Sequence, residues 1–144
     1  MKEYILVSAC LTGKNTKYNG GNNYISKIEA LKEKYELILI CPEVDGGLSI
    51  PRNPSEIING KVFMNNGNDV TLEYYKGANI ALDLAKKYNC KKALLKEKSP
   101  SCGTYKIYNG KFEGTLIDGM GITAKLLVEN NISVYSENQI DELL

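Results

Sequence analysis

The stretch Ala93-Leu94-Leu95-Lys96-Glu97-Lys98-Ser99-Pro100-Ser101-Cys102-Gly103 decides how this chain is read. A short apolar run, of the kind a buried strand shows, gives way to a segment that does not continue it. Pro100 has no N–H for a sheet ladder and biases Ser99 away from helix, and Gly103 tolerates backbone geometry that a side chain forbids. Cys102 is therefore expected on a tight loop leaving a strand. Two other cysteines repeat that placement: Cys10 follows Tyr4-Ile5-Leu6-Val7-Ser8-Ala9, and Cys41 follows Leu37-Ile38-Leu39-Ile40. If these runs are neighbouring parallel strands, three sulfurs meet at one edge of a sheet.

Working outward, strand and helix signals alternate. Tyr4 to Ser8 is a near-continuous apolar run, and Gly13, Gly20 and Gly21 mark a long loop after Cys10. Ile25, Ile28, Leu31 and Tyr35 recur at spacings of three and four, which predicts an amphipathic helix over 24–35. A strand is expected over 37–41, followed by ordered loop without helix to Pro54, since 41–54 holds three of the four prolines and a glycine pair. Asn66-Gly67 and Asn109-Gly110 predict tight hairpins, flanked by 61–64 and 69–70 and by 105–108 and 111–112. The longest helix is expected over 72–88, with Tyr75, Ala78, Ala81, Leu82, Ala85 and Tyr88 inward. Strands at 93–95 and 132–135, a helix at 120–130 and a capping box at Ser136-Glu137-Asn138-Gln139 complete the pattern. Such alternation implies an α/β fold: a Rossmann-like three-layer sandwich with a mainly parallel sheet and helices on both faces. The chain is expected to form one domain over 1–144.

Composition narrows the class. A chain 43% hydrophobic and 24% charged has an ordinary core, and a net charge of +1 gives no general attraction to nucleic acid or anionic membrane. No apolar run approaches the ~20 residues of a membrane span, and the N-terminus reads straight into a strand with no export signal, so a cytoplasmic protein is expected. In that setting four cysteines point to metal or catalytic use before disulfides.

Ligands of open α/β sheets bind beyond the carboxyl ends of the strands, where Cys10, Cys41 and Cys102 fall. Cys90 precedes its strand, belongs at the opposite edge, ~17 Å away, and is read as structural. Three converging thiols have several readings. They can be three separately buried cysteines. A structural zinc site usually has a fourth Cys or His, and this chain has no histidine and no CxxC. Thiolates also suit iron-sulfur clusters, and a 4Fe-4S cluster on three cysteines leaves one iron open as a Lewis acid.

The residues also carry a family resemblance. Val7-Ser8-Ala9-Cys10-Leu11, Tyr18-Asn19-Gly20, Cys41-Pro42-Glu43-Val44-x-Gly46-Gly47-Leu48-x-x-Pro51-Arg52-x-Pro54-x-Glu56-Ile57, Gly77-Ala78, Lys96-x-Lys98-Ser99-Pro100-Ser101-Cys102-Gly103 and Gly121-Ile122-Thr123-Ala124 resemble the thiouracil desulfidase family over nearly the whole chain. The resemblance implies a Rossmann-like domain in which Cys10, Cys41 and Cys102 hold an oxygen-sensitive 4Fe-4S cluster. It further implies that the fourth iron takes the sulfur of a thiolated uracil, which loses it without net redox chemistry. Cys90 matches no motif.

The chemistry assigns further roles. Hydrolysis at a thiocarbonyl carbon needs a base and a proton donor, and Glu43, two residues after a ligand cysteine, is the candidate to activate water. Ser101 is the second catalytic candidate, bonding the sulfur of Cys102 or relaying a proton. Ser8, Asp45 and Ser99 are candidate substrate-contacting residues, Asp45 competing with a local turn role. Arg52, the only arginine, is expected to pair with an acid and pin its loop, and Tyr18 to offer a ring for stacking. The expected partner is a small thiolated pyrimidine such as 2-thiouracil or a thiouridine, with no stable nucleic-acid complex and no membrane. The alternatives are a zinc-bound or metal-free binding or regulatory module, and a desulfidase acting on thiolated tRNA.

Overall fold

The computed structural model describes residues 2–144. Strand β1 (Glu3–Ser8) runs into a 3-10 turn (Ala9–Thr12), and α1 (Ile28–Lys34), β2 (Tyr35–Ile40) and the short α2 (Pro42–Asp45) follow. A hairpin of β3 (Ser55–Ile58) and β4 (Lys61–Met64) leads to α3 (Thr71–Lys87) and β5 (Lys92–Leu95). Then come β6 (Lys106–Tyr108), β7 (Leu116–Asp118), α4 (Ile122–Glu129), β8 (Ser133–Ser136) and a second 3-10 segment, Glu137–Glu142. Among the described residues, no helix is long and apolar enough to cross a membrane.

The apolar runs that announced the strands form one four-stranded, all-parallel sheet in the order β2-β1-β5-β8. Successive residues point to opposite faces, so each run supplies two cores. Leu6, Ala93 and Leu95 pack under Ala81, Leu82 and Ala85 of α3 and Ala124 and Leu127 of α4. Ile5, Val7 and Leu94 pack under Ile28 and Leu31 of α1 and Ile140 and Leu143 of the last segment. Each such buried Leu, Ile or Val side chain contributes about 1.5–3 kcal/mol from area removed from water, and an alanine less. The three-layer sandwich expected from the sequence is thus the one observed. From β1 the chain steps outward to β2, then crosses back to β5 on the other side of β1. Strand order reverses between β1 and β5, and the crevice beyond their carboxyl ends is where such sheets bind ligands.

Several local expectations change. The first helix is shorter than 24–35, because Tyr35 already pairs with Glu3 as the first residue of β2. Segment 41–54 is not all loop. Pro42 sits at the first position of α2, where its fixed φ suits a helix and its missing N–H is not needed. α2 lies so close to α3 that a Cβ at Gly77 would overlap the carbonyl oxygen of Pro42, and one at Gly46 that of Glu73. α3 turns Tyr74, not Tyr75, inward, Tyr75 being 43% exposed. A further hairpin is closed by Asn59-Gly60, and at Asn66-Gly67 the chain turns back as expected, Met64 N–H donating to Asn68 O at 2.8 Å and Val70 N–H to Val62 O at 2.9 Å around one bridge between Phe63 and Asp69. Asn109-Gly110 instead opens a longer loop, and the partner of β6 is β7, not 111–112.

Candidate active site

Three loops deliver the three thiols to one place. Cys10 lies in the 3-10 turn directly after β1, its carbonyl oxygen accepting the N–H of Asn23 at 2.9 Å, which folds the long following loop back over it. Cys41 is the residue before α2, where the Asp45 carboxylate accepts its N–H at 3.1 Å. Its thiol donates to the Thr16 carbonyl oxygen at 3.8 Å. Cys102 sits in the loop after β5, and that loop is docked on α4: the first N–H groups of α4 donate to the carbonyls of Pro100 and Ser101. Gly121 makes this approach feasible, since a Cβ there would run into the Ser101-Cys102 backbone.

Cys10, Cys41 and Cys102 line a single cavity of about 570 Å³, together with Ser8, Glu43, Ser99 and Ser101. Cys102 is 4% exposed. The Ser8 hydroxyl donates to its sulfur at 3.3 Å, and Ser101 Oγ lies 3.5 Å from it. Burial pushes the Cys102 thiol up to about 12, the two hydroxyls partly opposing this and the neighbouring Cys10 and Cys41 adding to it. Burial likewise raises Cys10 and Cys41. Thiols in this condition become ligands when a cation displaces their protons.

Glu43 is held at both oxygens. Arg52 Nε donates to Oε1 at 3.0 Å, in a pair whose side chains are 4% and 14% exposed. Ser101 Oγ donates to Oε2 at 3.1 Å and Ser99 Oγ at 3.4 Å, and the two serine hydroxyls lie 2.9 Å apart. Arg52 also donates through Nη2 to Thr16 O at 2.9 Å, so the one arginine ties α2 to the loop above Cys10. Glu43, Ser101, Ser99 and Ser8 are therefore brought together with the thiols. Asp45 is not: its carboxylate turns back to the N–H of Cys41, and it does not line the cavity. Cys90 is buried among Ala85, Ala93 and Leu127 at the other edge of the sheet.

Sequence reasoning passed over Glu97, which organises the cysteine loop. Buried at 7% exposure, it accepts the N–H groups of Lys98, Thr104, Tyr105 and Lys106 and the hydroxyl of Thr104. Burial alone would raise its carboxyl, but these donors outweigh burial and hold it below the usual carboxylate range. Lys96, also unassigned, lines the cavity with its ammonium on Glu137 at 2.9 Å. An acid just past a strand was the available signal for Glu97, but nothing local marks that its partners lie seven to nine residues on.

Among the described residues, no three His, Cys, Asp or Glu side chains stand close enough to hold one metal ion. Three thiols lining one roomy cavity suit a multi-iron cluster, whose cysteines bind different irons.

Fold and site together define a class: a doubly wound α/β protein with a cluster-sized, three-thiol cavity at its topological switch point. The chain matches the family model for 2-thiouracil desulfurase over residues 5–139 and belongs to that family. It is 43% identical over 150 aligned positions to the uncharacterized protein YbbK of Bacillus subtilis (strain 168), covering 97% of this chain and 99% of that protein. The solved structure of a 4Fe-4S-dependent thiouracil desulfidase, TudS, superposes with a TM-score of 0.95 at 45% identity, covering 99% of this chain and 95% of that one.

Proposed function

We propose that this chain is a 4Fe-4S-dependent desulfidase that converts a free thiolated pyrimidine, 2-thiouracil or a close relative, to its oxo form. Cys10, Cys41 and Cys102 would hold the cluster. Bound there, it would supply Lewis-acid polarisation of the substrate's thiocarbonyl group. The rest falls to the protein. Arg52 fixes Oε1 of Glu43, which leaves Oε2 to take a proton from the attacking water. Ser101, which bridges Glu43 Oε2 and Cys102 Sγ, passes a proton toward the departing sulfur, with Ser99 completing the relay. The carbon exchanges a bond to sulfur for one to the oxygen of water, sulfide leaves, and no electrons change hands.

One observation carries this reading: three thiols from three separate loops share a cavity with a glutamate whose proton-accepting oxygen is wired through serine to one of those sulfurs. Four free cysteines and the near-neutral charge suit a single-domain cytoplasmic protein acting on small molecules, without the basic surface tRNA would require. Anaerobic reconstitution tests it. Brown protein with about four irons per chain, releasing sulfide and uracil from 2-thiouracil, is expected. Protein that takes up no iron, or takes it up and releases no sulfide from any thiolated pyrimidine, overturns the assignment.

A further inference from the structure

Five residues other than glycine carry left-handed backbone: Asn59, Asn89, Lys98, Phe112 and Asn131. Asparagine adopts that region readily, whereas lysine and phenylalanine do so only where the surroundings enforce it. Both of those, Lys98 (φ 70°) and Phe112 (φ 53°), line the cavity. Each is fastened by a buried glutamate. Glu97 Oε1 accepts the N–H of Lys98, while Glu56 Oε1 accepts that of Phe112 at 3.2 Å and of Gly110 at 2.9 Å. Glu56 and Glu97 are the buried carboxylates among the described residues, and neither forms an ion pair. Burying a carboxylate without an ion pair costs desolvation that its hydrogen-bond donors must offset, and an aromatic residue at positive φ costs stability as well. For Glu97 the return is the shape of the cysteine loop. For Glu56 it is the loop between β6 and β7, folded down so that a phenylalanine still 37% exposed forms part of the cavity wall.

We propose that Phe112 is the platform on which the planar thiolated pyrimidine stacks, and that Glu56 is the positioning residue that holds it there. This rests on the desulfidase reading and adds a specificity-determining wall to it. A partly exposed ring on a cavity wall offers a flat, apolar, polarizable face to any aromatic base, a contact independent of the thiols.

The test uses the anaerobically reconstituted holoenzyme, with KM for 2-thiouracil and the calorimetric Kd of uracil, which has no sulfur to offer iron. Phe112→Asn removes the ring while suiting the left-handed backbone, so the fold is spared. KM and the uracil Kd are both expected to rise about 10-fold, toward the lower end of what a base loses with its aromatic partner. The effect should fall on KM more than on kcat, with iron content and cluster absorption unchanged. Phe112→Tyr, which keeps the ring, should restore both constants. Glu56→Ala should copy Phe112→Asn, whereas Glu56→Gln, whose amide oxygen still accepts both N–H groups, should stay near wild type. Unchanged KM and Kd in Phe112→Asn, with wild type turning over, overturn the proposal and leave the desulfidase standing. Loss of the cluster in that variant overturns it too, by showing a structural role. Wild type that neither binds uracil nor releases sulfide brings down the desulfidase reading, and this inference with it.

Discussion

Cys102 and Cys90 are equally hidden, at 4% and 5% exposure, and lie at opposite ends of the same strand. Burial pushes Cys90 up to about 11, with the charge of Glu3 adding to it, and Cys102 to about 12. Cys90 borders a cavity of about 210 Å³ walled by Leu82, Ala85 and Ile132 with lysines and asparagines at its rim. Among the described residues no side-chain hydroxyl reaches its sulfur, whereas Cys102 Sγ is approached by Ser8 at the end of β1 and by Ser101 of its own loop. Neither burial nor basicity separates these thiols. Convergence does: at the carboxyl edge separate loops add donors and further thiols, and at the amino edge the same residue type meets only its own packing neighbours.

The contrast can be broken at its strongest point first. Cys10→Ser, Cys41→Ser or Cys102→Ser should each abolish both iron content and sulfide release after anaerobic reconstitution; a variant that keeps full iron removes that residue from the ligand set. Glu43→Gln should keep the brown colour and iron content while turnover falls about 10²–10⁴-fold, the range of a general base, so near-normal turnover would hand proton transfer to another group. A subtler effect is expected at Glu97, whose folded pKa lies below its ordinary value. A depressed carboxylate contributes stability that is complete above the unfolded pKa of about 4.3 and fades as pH falls through the lower folded value. Wild type should therefore exceed Glu97→Gln in urea resistance at neutral pH, the gap closing below about pH 4; a gap constant with pH would contradict the assignment. The smallest effect belongs to Cys90→Ala: unchanged iron and turnover, and a stability loss of about 1 kcal/mol or less for one small buried group, read from the melting temperature.

The sheet was legible because strands buried on both faces leave runs such as Ile5-Leu6-Val7 and Ala93-Leu94-Leu95. Three cysteines just past those runs made the carboxyl edge legible too. What stayed hidden was decided at a distance. Asn59-Gly60, Asn66-Gly67 and Asn109-Gly110 are alike as local signals, and only the pairing of Ser55–Ile58 with Lys61–Met64 selects the first as the turn directly joining two paired strands. A four-residue helix such as α2 is too short to show a period. The resemblance could be quoted with Glu97 as an unspecified position between Lys96 and Lys98, because the role of that residue exists only once Thr104, Tyr105 and Lys106 have folded onto it. Similarly, the Arg52–Glu43 pair joins residues nine apart, and only a folded loop shows which acid the lone arginine meets.

The near-overlap of Gly77 with Pro42 has a consequence for how this catalyst can diverge. Glu43 belongs to, and Cys41 directly precedes, one short helix that is wedged against α3 with no room for even a methyl group. The proposed cluster ligand Cys41 and the proposed base Glu43 are thereby soldered together as a single machine part. On the stacking proposal, novelty in what the protein accepts comes from the far wall, where loop 109–115 carries Phe112.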